Sequence, residues 1–429
     1  MTNQELQIGV VGTFDVENYG DLLFPLIAET ELSQRLGPLS LHCFSYHQKT
    51  PPDWPFEVTS LSEFPRQAGN LDALLIGGGH ILRFDKDAVV PNYLPPGLGI
   101  HHPTGYWLTP ALIAMNNGLP VAWNAPGVCG DIPEWAAPLM KLAINGSSYV
   151  SVREDNSRKV LERFADQTKV RVVPDSAFGV ARLLDTSRPS SDFTRLRGEL
   201  GLSNPYIILQ ATRNLLPFAG FVRSHPQLFK PYDILVLETG PILGDDDAMF
   251  GDAMPGVVRL PTWPSPLLLT ELISHADAVV AVSLHLSISA LAFGVPLFLS
   301  ARAVDRKYAI LSGLDGVFPF SDEDGIDPRQ FASLPPRSEP SPAVSAALCQ
   351  LENHWDTIAS IFAAARKIPS TPEAIGKFWQ TIPGLLERRS IEETFSELAV
   401  RNREIAALQN STSWKVTAPL RAFVNRWRR

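Results

Sequence analysis

The uncharged stretch AVVAVSLHLSISALAFGVPLFLS, residues 278–300, decides how the chain folds. It contains no Asp, Glu, Lys or Arg over about the length that a membrane span requires. Its pattern nevertheless favours a strand, a helix and a second strand, because a β-branched run (AVVAVS) precedes an Ala/Leu/Ser segment that ends at Gly-Val-Pro. We therefore predict a buried strand–helix–strand unit, which is typical of α/β proteins with parallel sheets.

The same alternation extends outward from this stretch in both directions. The polar segment DTSRPSSDF, residues 185–193, interrupts it and predicts a domain boundary. Alternating strands and helices predict mainly parallel sheets with helices on both faces, so we expect two doubly wound domains with a ligand cleft at the carboxyl ends of their strands. The expected strands are Leu6–Phe14, Leu71–Ile76, Leu119–Trp123, Ser148–Val152, Val170–Val173, Tyr206–Ala211, Asp233–Leu237, Ala278–Ser283 and Pro296–Ser300. The expected helices are Asp21–Leu36, Asp155–Phe164, and residues 265–275, 285–293, 305–313, 341–366 and 372–410.

Charge separates the end of the chain from the rest. The 429 residues carry 37 Lys and Arg against 45 Asp and Glu, a net charge of −8 that argues against a general nucleic-acid binder. Residues 401–429 hold seven basic side chains and one acid, Glu404, so this segment carries +6 and the rest carries −14. We therefore divide the chain into an N-terminal Rossmann-like domain (1–184), a linker (185–195), a C-terminal Rossmann-like domain (196–370), a helical extension (371–410) and a basic amphipathic tail (411–429).

Cysteine usage and the first residues suggest where the protein works. The three cysteines, Cys43, Cys129 and Cys349, are widely spaced and show neither a disulfide framework nor the spacing of zinc ligands. The opening MTNQELQIGV lacks the basic and apolar regions of a secretory signal. We expect a cytoplasmic protein, either free or peripheral on the inner face of the cell membrane.

Polar and glycine residues follow the predicted strands of the first domain. The segment Gly12–Asp21 has neither the spacing of a dinucleotide fingerprint nor that of a Walker loop. Its residues Asn18, Gly20 and Asp21 either form a tight turn in which Asp21 caps the next helix, or line an acceptor pocket. The segment Gly77-Gly78-Gly79-His80 follows a later strand, where the glycines either make a sharp turn or let the backbone approach a ligand.

Charged residues also follow strands in both domains. Arg153, in Ser151-Val-Arg153-Glu154, either binds an anion in the cleft or pairs with a neighbouring acid, and Asp175 is equally ambiguous. In the second domain Arg213 follows YIILQAT, and His285 begins a helix after AVVAVSL. A helix N-terminus favours anions, and a histidine there can exchange protons near pH 7. We predict that Arg153, Arg213 and His285 face one pocket.

Together these motifs resemble the polysaccharide pyruvyl transferase family over roughly residues 6–315. The resemblance implies a glycosyltransferase B-like α/β fold, in which two Rossmann-like doubly wound domains face a cleft, here with a helical C-terminal extension. It also implies transfer of the enolpyruvyl group of phosphoenolpyruvate onto a sugar as a ketal, with Arg153, Arg213, His285 and Lys307 at the donor site. The motifs that carry it are Asn18-Tyr-Gly-Asp21, Gly77–Gly79, Ser151-Val-Arg153-Glu154 with Ser157, Pro174-Asp175, and Ala276-Asp277 through Leu284-His285 to Ala290-Leu-Ala-Phe-Gly-Val-Pro296.

One residue departs from the family pattern. Where the family commonly has Arg-Leu-His, this chain has Ser283-Leu284-His285. An arginine fork suits the phosphate and carboxylate of phosphoenolpyruvate, whereas a serine hydroxyl supplies one neutral hydrogen bond. Either the other cations and the helix N-terminus suffice, or the protein uses another donor, or it has lost activity.

The resulting hypothesis is a pyruvyl transferase acting on a sugar of a surface polysaccharide or its lipid-linked precursor. His285 would be the general acid/base, and no metal and no cofactor other than the donor substrate phosphoenolpyruvate are expected. The rivals are a nucleotide-sugar glycosyltransferase of the same architecture and a non-catalytic sugar-binding or assembly protein of polysaccharide synthesis. The candidate substrate-binding residues are Arg153, Arg213, Lys307, Ser283, Asn18, Asp21, Gly78, Gly79 and Asp175.

The tail carries a second resemblance. STSWKVTAPLR, residues 411–421, is similar to a short terminal module of many bacterial surface-polysaccharide glycosyltransferases. Thr417 can cap a helix with an apolar stripe of Leu420, Phe423, Val424 and Trp427, outside which lie Arg421, Arg426, Arg428 and Arg429. This pattern predicts that residues 411–429 bind an anionic membrane surface, and the alternative is that the stripe packs on the protein's own acidic body.

Overall fold

A computed structural model describes residues 5–84, 107–166, 169–254, 256–301, 306–311, 314–321, 325–365, 398, 401–408 and 411–417. Within these ranges the side chains of residues 252, 306, 307, 309 and 415 are not described. Residues 1–132 and 140–370 form one compact unit, and residues 133–139 and 371–429 form another.

The first sheet of the larger unit has five parallel strands in the order β3-β2-β1-β4-β6. Successive strands are added on one side of β1 as far as β3 and on its other side from β4 onward, and because crossovers are right-handed, this places helices on opposite faces of the sheet. The strands are β1 (Leu6–Val11), β2 (Leu39–Ser45), β3 (Val58–Ser60), β4 (Ala73–Ile76) and β6 (Val121–Trp123), and the accompanying helices are α1 (Tyr19–Leu36), α2 (Phe64–Gln67) and α3 (Leu108–Asn116). Two parallel strand pairs complete this half: β5 (Leu82–Arg83) with β7 (Val128–Cys129), and β8 (Val150–Val152) with β9 (Val170–Val172).

The second sheet has six parallel strands in the order β12-β11-β10-β13-β14-β15. Counted from β10, this is the order 3-2-1-4-5-6 of a Rossmann sheet. The strands are β10 (Tyr206–Gln210), β11 (Asp233–Leu237), β12 (Val258–Arg259), β13 (Ala278–Ala281), β14 (Leu297–Ser300) and β15 (Val317–Phe320). The described residues before 366 form further α-helices: α4 (Ala137–Gly146), α5 (Asp155–Glu162), α6 (Ser191–Glu199), α7 (Leu216–Ser224), α8 (Pro226–Phe229), α9 (Ala248–Ala253), α10 (Pro266–Ser274), α11 (Leu284–Ala292) and α12 (Pro342–Ala363).

The stretch 278–300 folds as predicted. It forms β13, α11 and β14, and its residues are almost all buried inside the second sheet and the helix against it. Among the described residues no helix is long and apolar enough to cross a membrane. The predicted α/β class with two Rossmann-like sheets is therefore confirmed.

The structure contains six strands that the sequence did not predict among the described residues: β2, β3, β5, β7, β12 and β15. β2 mixes apolar residues with Ser40 and His42, while β3, β5, β7 and β12 are only two or three residues long. β15 contains Pro319, which is tolerated because this strand lies at the edge of its sheet. Residues 305–313, predicted as an α-helix, contain the 3₁₀ segment Arg306–Leu311.

The predicted segment boundaries have mixed outcomes. The predicted linker 185–195 contains the start of α6, and both sheets belong to one compact unit, so the division into two domains stays a prediction. Within the predicted extension 371–410, residues 398 and 401–408 are helical, and the others lie outside the described residues. The tail begins with a short helix, Thr412–Val416.

Helix α12 crosses from the second sheet and packs on the first half of the chain. Arg35 of α1 forms ion pairs with Glu352 and Asp356 of α12. Inside this contact His354 is 2% exposed, its Nδ1 lies 2.9 Å from the Tyr149 hydroxyl, and its Nε2 lies 3.0 Å from Asn124 Oδ1. Burial, with a smaller contribution from Arg35, lowers the pKa of His354 to about 3.

The lowered pKa of His354 predicts that the free energy of unfolding falls at acidic pH. The His354 side chain binds a proton near pH 6.5 in the unfolded chain and near pH 3 in the folded chain. The stability that the neutral side chain gives the folded state is therefore present above pH 6.5 and is lost as the pH falls toward 3. We expect the free energy of unfolding to fall by about 2 kcal/mol between pH 7 and pH 5 through this residue. Urea denaturation at both pH values should show a smaller fall in His354→Gln than in the natural protein and in the control His225→Gln. An equal fall in all three would contradict the prediction.

Candidate active site

A cleft of about 980 Å³ opens at the carboxyl ends of the strands of both sheets. The first half of the chain contributes the segments that follow β1, β4, β7 and β8, and the second half contributes those that follow β10, β11 and β13. The volume exceeds what a single small anion needs and lies at the upper end of ordinary ligand pockets. Its polar and charged lining includes Thr13, Asn18, Asp21, His80, Arg83, Asp131, Arg153, Glu154, Asn156, Gln210, Thr212, Asn214, Thr239, Asp245, Ser283, His285 and Tyr308.

The loop after β1 brings Asp21 into this cleft. Helix α1 begins at Tyr19, so Asn18 occupies the cap position and Asp21 lies within the first turn, not at the predicted cap. Asp21 Oδ2 accepts hydrogen bonds from Thr13 Oγ1 at 2.6 Å and from Asn18 Nδ2 at 2.8 Å. Burial raises the pKa of Asp21 above its usual value, although these bonds and the nearby His285 and Arg153 oppose the shift.

The glycines after β4 pack the chain and do not line the cleft. A Cβ at Gly78 would lie 2.3 Å from the ring of Phe24, so only glycine lets this turn approach α1. Gly79 has φ +90°, and a Cβ there would lie 3.0 Å from Asp21 Oδ1. The structure thus supports the sharp-turn alternative for Gly78 and Gly79, and neither is among the described residues that line the cleft.

Arg153, which follows β8, pairs with two neighbouring acids at the wall of the cleft, and anion binding by this residue stays a prediction. Its side chain is 2% exposed and lines the cleft, and its Nη1 donates to Asp175 Oδ2 at 2.9 Å. Its Nε also donates to Glu154 Oε2 at 3.2 Å. Although burial opposes the charged form, the two carboxylates raise the pKa of Arg153, so the guanidinium stays a cation in the cleft wall.

Asp175 links the arginine to the histidine. It is buried and accepts the backbone N–H of Ala177 at 3.0 Å, which caps the 3₁₀ segment Ser176–Leu183. Burial alone would raise its pKa, but His285 and Arg153 outweigh that effect and hold the pKa of Asp175 well below its usual range. Asp175 therefore stays ionised.

His285 lies at the start of α11, whose cap is the Ser283 hydroxyl. Its side chain is 13% exposed, and its Nε2 lies 3.6 Å from Asp175 Oδ2, too far for a hydrogen bond but close for an ionic contact. This Nε2 has no hydrogen-bond partner among the described residues. A histidine beside an ionised carboxylate at the wall of a cleft can take up and release a proton.

Comparison with known protein families identifies the family of this chain. The family model described as polysaccharide pyruvyl transferase matches residues 18–302, well over half of the chain. The chain belongs to the polysaccharide pyruvyl transferase family. The matched range contains the described site residues from Asn18 to His285. No curated protein matches the chain in sequence.

Several solved structures show a distant likeness to this pyruvyl transferase family member. UDP-GlcNAc 2-epimerase from Methanocaldococcus jannaschii is 11% identical with a TM-score of 0.47, covering 82% of this chain and 93% of its own. Alr3699/HepE from Anabaena, in complex with UDP and glucose, is 12% identical with a TM-score of 0.48, covering 84% of this chain and 100% of its own. UDP-GlcNAc 2-epimerase from Neisseria meningitidis, bound to UDP-GlcNAc, is 12% identical with a TM-score of 0.46, covering 88% and 99%. A likeness at this level carries no information about substrate or reaction.

Of the residues that the pyruvyl transferase resemblance assigns to the donor site, Arg213 is not placed there and Lys307 stays untested. Arg213 begins the 3₁₀ turn Arg213–Leu215 and is exposed, and the cleft is lined by its neighbours Thr212 and Asn214 instead. The prediction that Arg153, Arg213 and His285 share one pocket therefore holds for two of them and not for Arg213. The side chain of Lys307 lies outside the described part of the chain.

A hydrogen-bonded group in the second wall of the cleft was not among the residues predicted for this pyruvyl transferase family member. Gln210, at the end of β10, accepts the backbone N–H groups of Val282 and Ser283 at 2.9 and 2.7 Å. Its amide in turn donates to Asp245, which also accepts the N–H of Thr239 at 2.9 Å. These bonds fix the turn that leads into His285. The available signal was a glutamine that ends an otherwise apolar strand.

One group of carboxylates could hold a metal ion within the described residues. Oxygen atoms of Glu238, Asp246 and Asp247 lie within 4.8 Å of one another. Burial and the neighbouring acids raise the pKa of Glu238. None of the three is among the described residues that line the cleft, so these carboxylates have no assigned role in the reaction.

Proposed function

We propose that this protein transfers the enolpyruvyl group of phosphoenolpyruvate onto a sugar of a surface polysaccharide or its lipid-linked precursor. The observation that carries the proposal is the contact of Arg153, from the first half of the chain, and His285, from the second, with the same buried carboxylate of Asp175. A cation and a proton carrier meet at one cleft wall, and this reaction needs both.

The chemistry assigns a task to each group. Two acceptor hydroxyls form C–O bonds to C2 of the donor, C3 gains a proton to become a methyl group, and the C2–O bond to phosphate breaks. One hydroxyl proton is taken up by C3 and the other by the leaving phosphate. In this proposal His285 protonates the methylene carbon or relays the hydroxyl proton, and Arg153 balances the charge of the donor. Asp21, which also lines the cleft, is a weaker candidate for contacting an acceptor hydroxyl.

The donor anion requires more positive charge than Arg153 alone supplies, because two carboxylates already contact that guanidinium. Arg83 also lines the cleft, and the amino end of α11 presents backbone N–H groups beside His285. These groups support the alternative in which the protein works without the arginine that the family commonly has at position 283.

Restoring arginine at position 283 tests donor binding. The Ser283 hydroxyl caps α11, so Ser283→Arg is expected to lower the free energy of unfolding by about 1 kcal/mol. The new guanidinium in the cleft is expected to tighten phosphoenolpyruvate binding about tenfold through a charge-assisted hydrogen bond. Calorimetry measures both proteins, with Arg213→Ala as a control that changes an arginine outside the cleft lining. Absence of binding in the natural and Ser283→Arg proteins would favour another donor.

The activity itself is tested by incubation with radiolabelled phosphoenolpyruvate and lipid-linked acceptors from the native host. Phosphate release together with labelled acceptor is the expected result. A parallel incubation with labelled nucleotide sugars covers the rival reaction. Sugar transfer without pyruvyl transfer would establish a glycosyltransferase, and acceptor binding without either reaction would favour a non-catalytic sugar-binding protein.

The membrane role of the tail stays a prediction. Thr417 ends the helix Thr412–Val416, because its backbone N–H and hydroxyl both donate to the Ser413 carbonyl, so the structure does not place it as the predicted cap. The stripe Leu420, Phe423, Val424 and Trp427 lies outside the described residues. We expect removal of residues 411–429 to abolish cosedimentation with anionic liposomes at low salt, because the basic residues add about 1 kcal/mol each near such a surface. Equal binding by the full-length and truncated proteins would contradict this.

A further inference from the structure

Gly20, in the first turn of α1, makes an unusually close contact with the imidazole of His285. A Cβ built on Gly20 would lie 1.8 Å from His285 Nδ1 and 2.4 Å from its Cγ. Gly20 is helical, and no positive φ requires glycine at this position. Glycine is therefore required at position 20 because the histidine ring occupies the space of a side chain, and not because of the backbone conformation.

The side chains of Phe24 and Asp175 also contact the His285 ring. Phe24, one helical turn beyond Gly20, meets it edge-to-face with ring centroids 5.4 Å apart. Asp175 Oδ2 lies 3.6 Å from Nε2. We call Gly20, Phe24 and Asp175 the imidazole seat. All three belong to the first half of the chain, whereas His285 belongs to the second.

Helix α1 is fastened to the second half next to this seat. The Tyr19 hydroxyl donates to Ser289 Oγ at 2.9 Å and lies 3.0 Å from Thr270 Oγ1, and the Tyr19 backbone N–H donates to the Thr239 carbonyl at 2.8 Å. Ser289 lies one turn beyond His285 on α11, so neighbouring residues of α1 contact neighbouring turns of α11. The distance between the two helices is fixed by these bonds, and a ring at position 285 fits only while residue 20 has no side chain.

We propose that Gly20 is a positioning residue for His285, and that its missing side chain sets the orientation in which Nε2 faces Asp175. The proposal rests on the proposed function only in treating His285 as the proton carrier. A methyl group at position 20 would overlap Nδ1 and Cγ of the ring, so the ring would have to leave the position in which Nε2 faces Asp175. Misplacement of a catalytic group by about 1 Å can cost about 100-fold in rate.

The test compares Gly20→Ala with Gly220→Ala. Gly220 also lies inside a helix, α7, but a Cβ there meets nothing within 4 Å, and the residue does not line the cleft. Gly20→Ala is expected to lower kcat for pyruvyl transfer about 100-fold while the KM for phosphoenolpyruvate stays nearly unchanged, because the donor cations are untouched. Gly220→Ala should keep the natural kcat.

A second readout does not depend on activity. In protein labelled with nitrogen-15 histidine, the His285 ring signals, assigned with His285→Gln, should shift in Gly20→Ala and stay in place in Gly220→Ala. If Gly20→Ala does not fold, Phe24→Leu removes another face of the seat and is expected to shift the same signals and lower kcat. A folded variant of the seat with natural kcat and unshifted signals would overturn the proposal. If the natural protein lacks pyruvyl transfer, the proposed function fails and the ring signals alone decide whether Gly20 positions His285.

Discussion

His285→Gln is expected to abolish pyruvyl transfer while leaving the fold and donor binding intact. Glutamine keeps a polar side chain of similar length at the start of α11 but cannot exchange a proton near neutral pH. General acid/base catalysis by a positioned side chain typically contributes about 100- to 10,000-fold, so kcat should fall by at least that range. The Ser283 cap and the Gln210 bonds to the preceding turn do not involve the imidazole, so α11 should start where it does in the natural protein.

The matched control is His225→Gln, which changes a partly buried histidine at the end of α7 that does not line the cleft. Steady-state kinetics gives kcat for both variants, and calorimetry gives their affinity for phosphoenolpyruvate. Natural kcat in His285→Gln would exclude this residue as the proton carrier and would direct attention to Asp21. Loss of donor binding in the same variant would instead assign His285 to the binding of the donor.

The fold was predictable where a strand is buried on both faces. β10 and β13 are continuous apolar runs that end at a polar residue or a turn, and that pattern alone indicates a parallel sheet. The strands that the sequence did not reveal have weaker patterns. Pro319 interrupts β15, and Ser40 and His42 interrupt the apolar pattern of β2. These strands form because neighbouring strands pair with them, and a single sequence does not show which strands are neighbours.

The candidate site was predictable to the level of loops and not of side chains. The rule that ligands bind beyond the carboxyl ends of parallel strands correctly selected Asp21, Arg153 and His285 as cleft residues. The same rule failed for Arg213, because the 3₁₀ turn that begins there leaves its side chain exposed while its two neighbours line the cleft. Sequence spacing gives the end of the sheet at which a residue lies, but not the direction of its side chain.

The sequence predicted that Arg153 and His285 share a pocket, but not which side chains contact each other there. The order of motifs did not indicate that Asp175 would contact both Arg153 and His285, or that the ring of His285 would rest on Gly20. These contacts depend on how α1 and α11 approach each other, which the tertiary bonds of Tyr19 determine. Asn18-Tyr-Gly-Asp21 leads into α1 and contributes Asn18 and Asp21 to the cleft lining, but the helix cap is Asn18 and not the predicted Asp21.

Asp175→Asn is expected to cause the largest loss of stability of any single substitution at the cleft. The carboxylate is buried and ionised, and it is the partner of a guanidinium that is itself 2% exposed. Asparagine preserves the shape but leaves Arg153 with Glu154 as its remaining carboxylate contact among the described residues. Breaking a buried ion pair by removing one partner typically costs about 3–5 kcal/mol, so urea denaturation should show a fall of that order, together with loss of transfer.

Two comparisons separate the buried pair from ordinary charge removal. Asp166→Asn removes the carboxylate of an exposed pair with Lys141 and should change the free energy of unfolding little, because exposed pairs are screened by solvent. The double variant Arg153→Met, Asp175→Asn leaves no unpaired buried cation and should regain part of the stability lost in Asp175→Asn, while transfer stays abolished. If the double variant is less stable than Asp175→Asn by the full cost of a second substitution, the two residues are not energetically coupled. Asp175 would then act on His285 without Arg153, and the shared carboxylate would be a coincidence of packing.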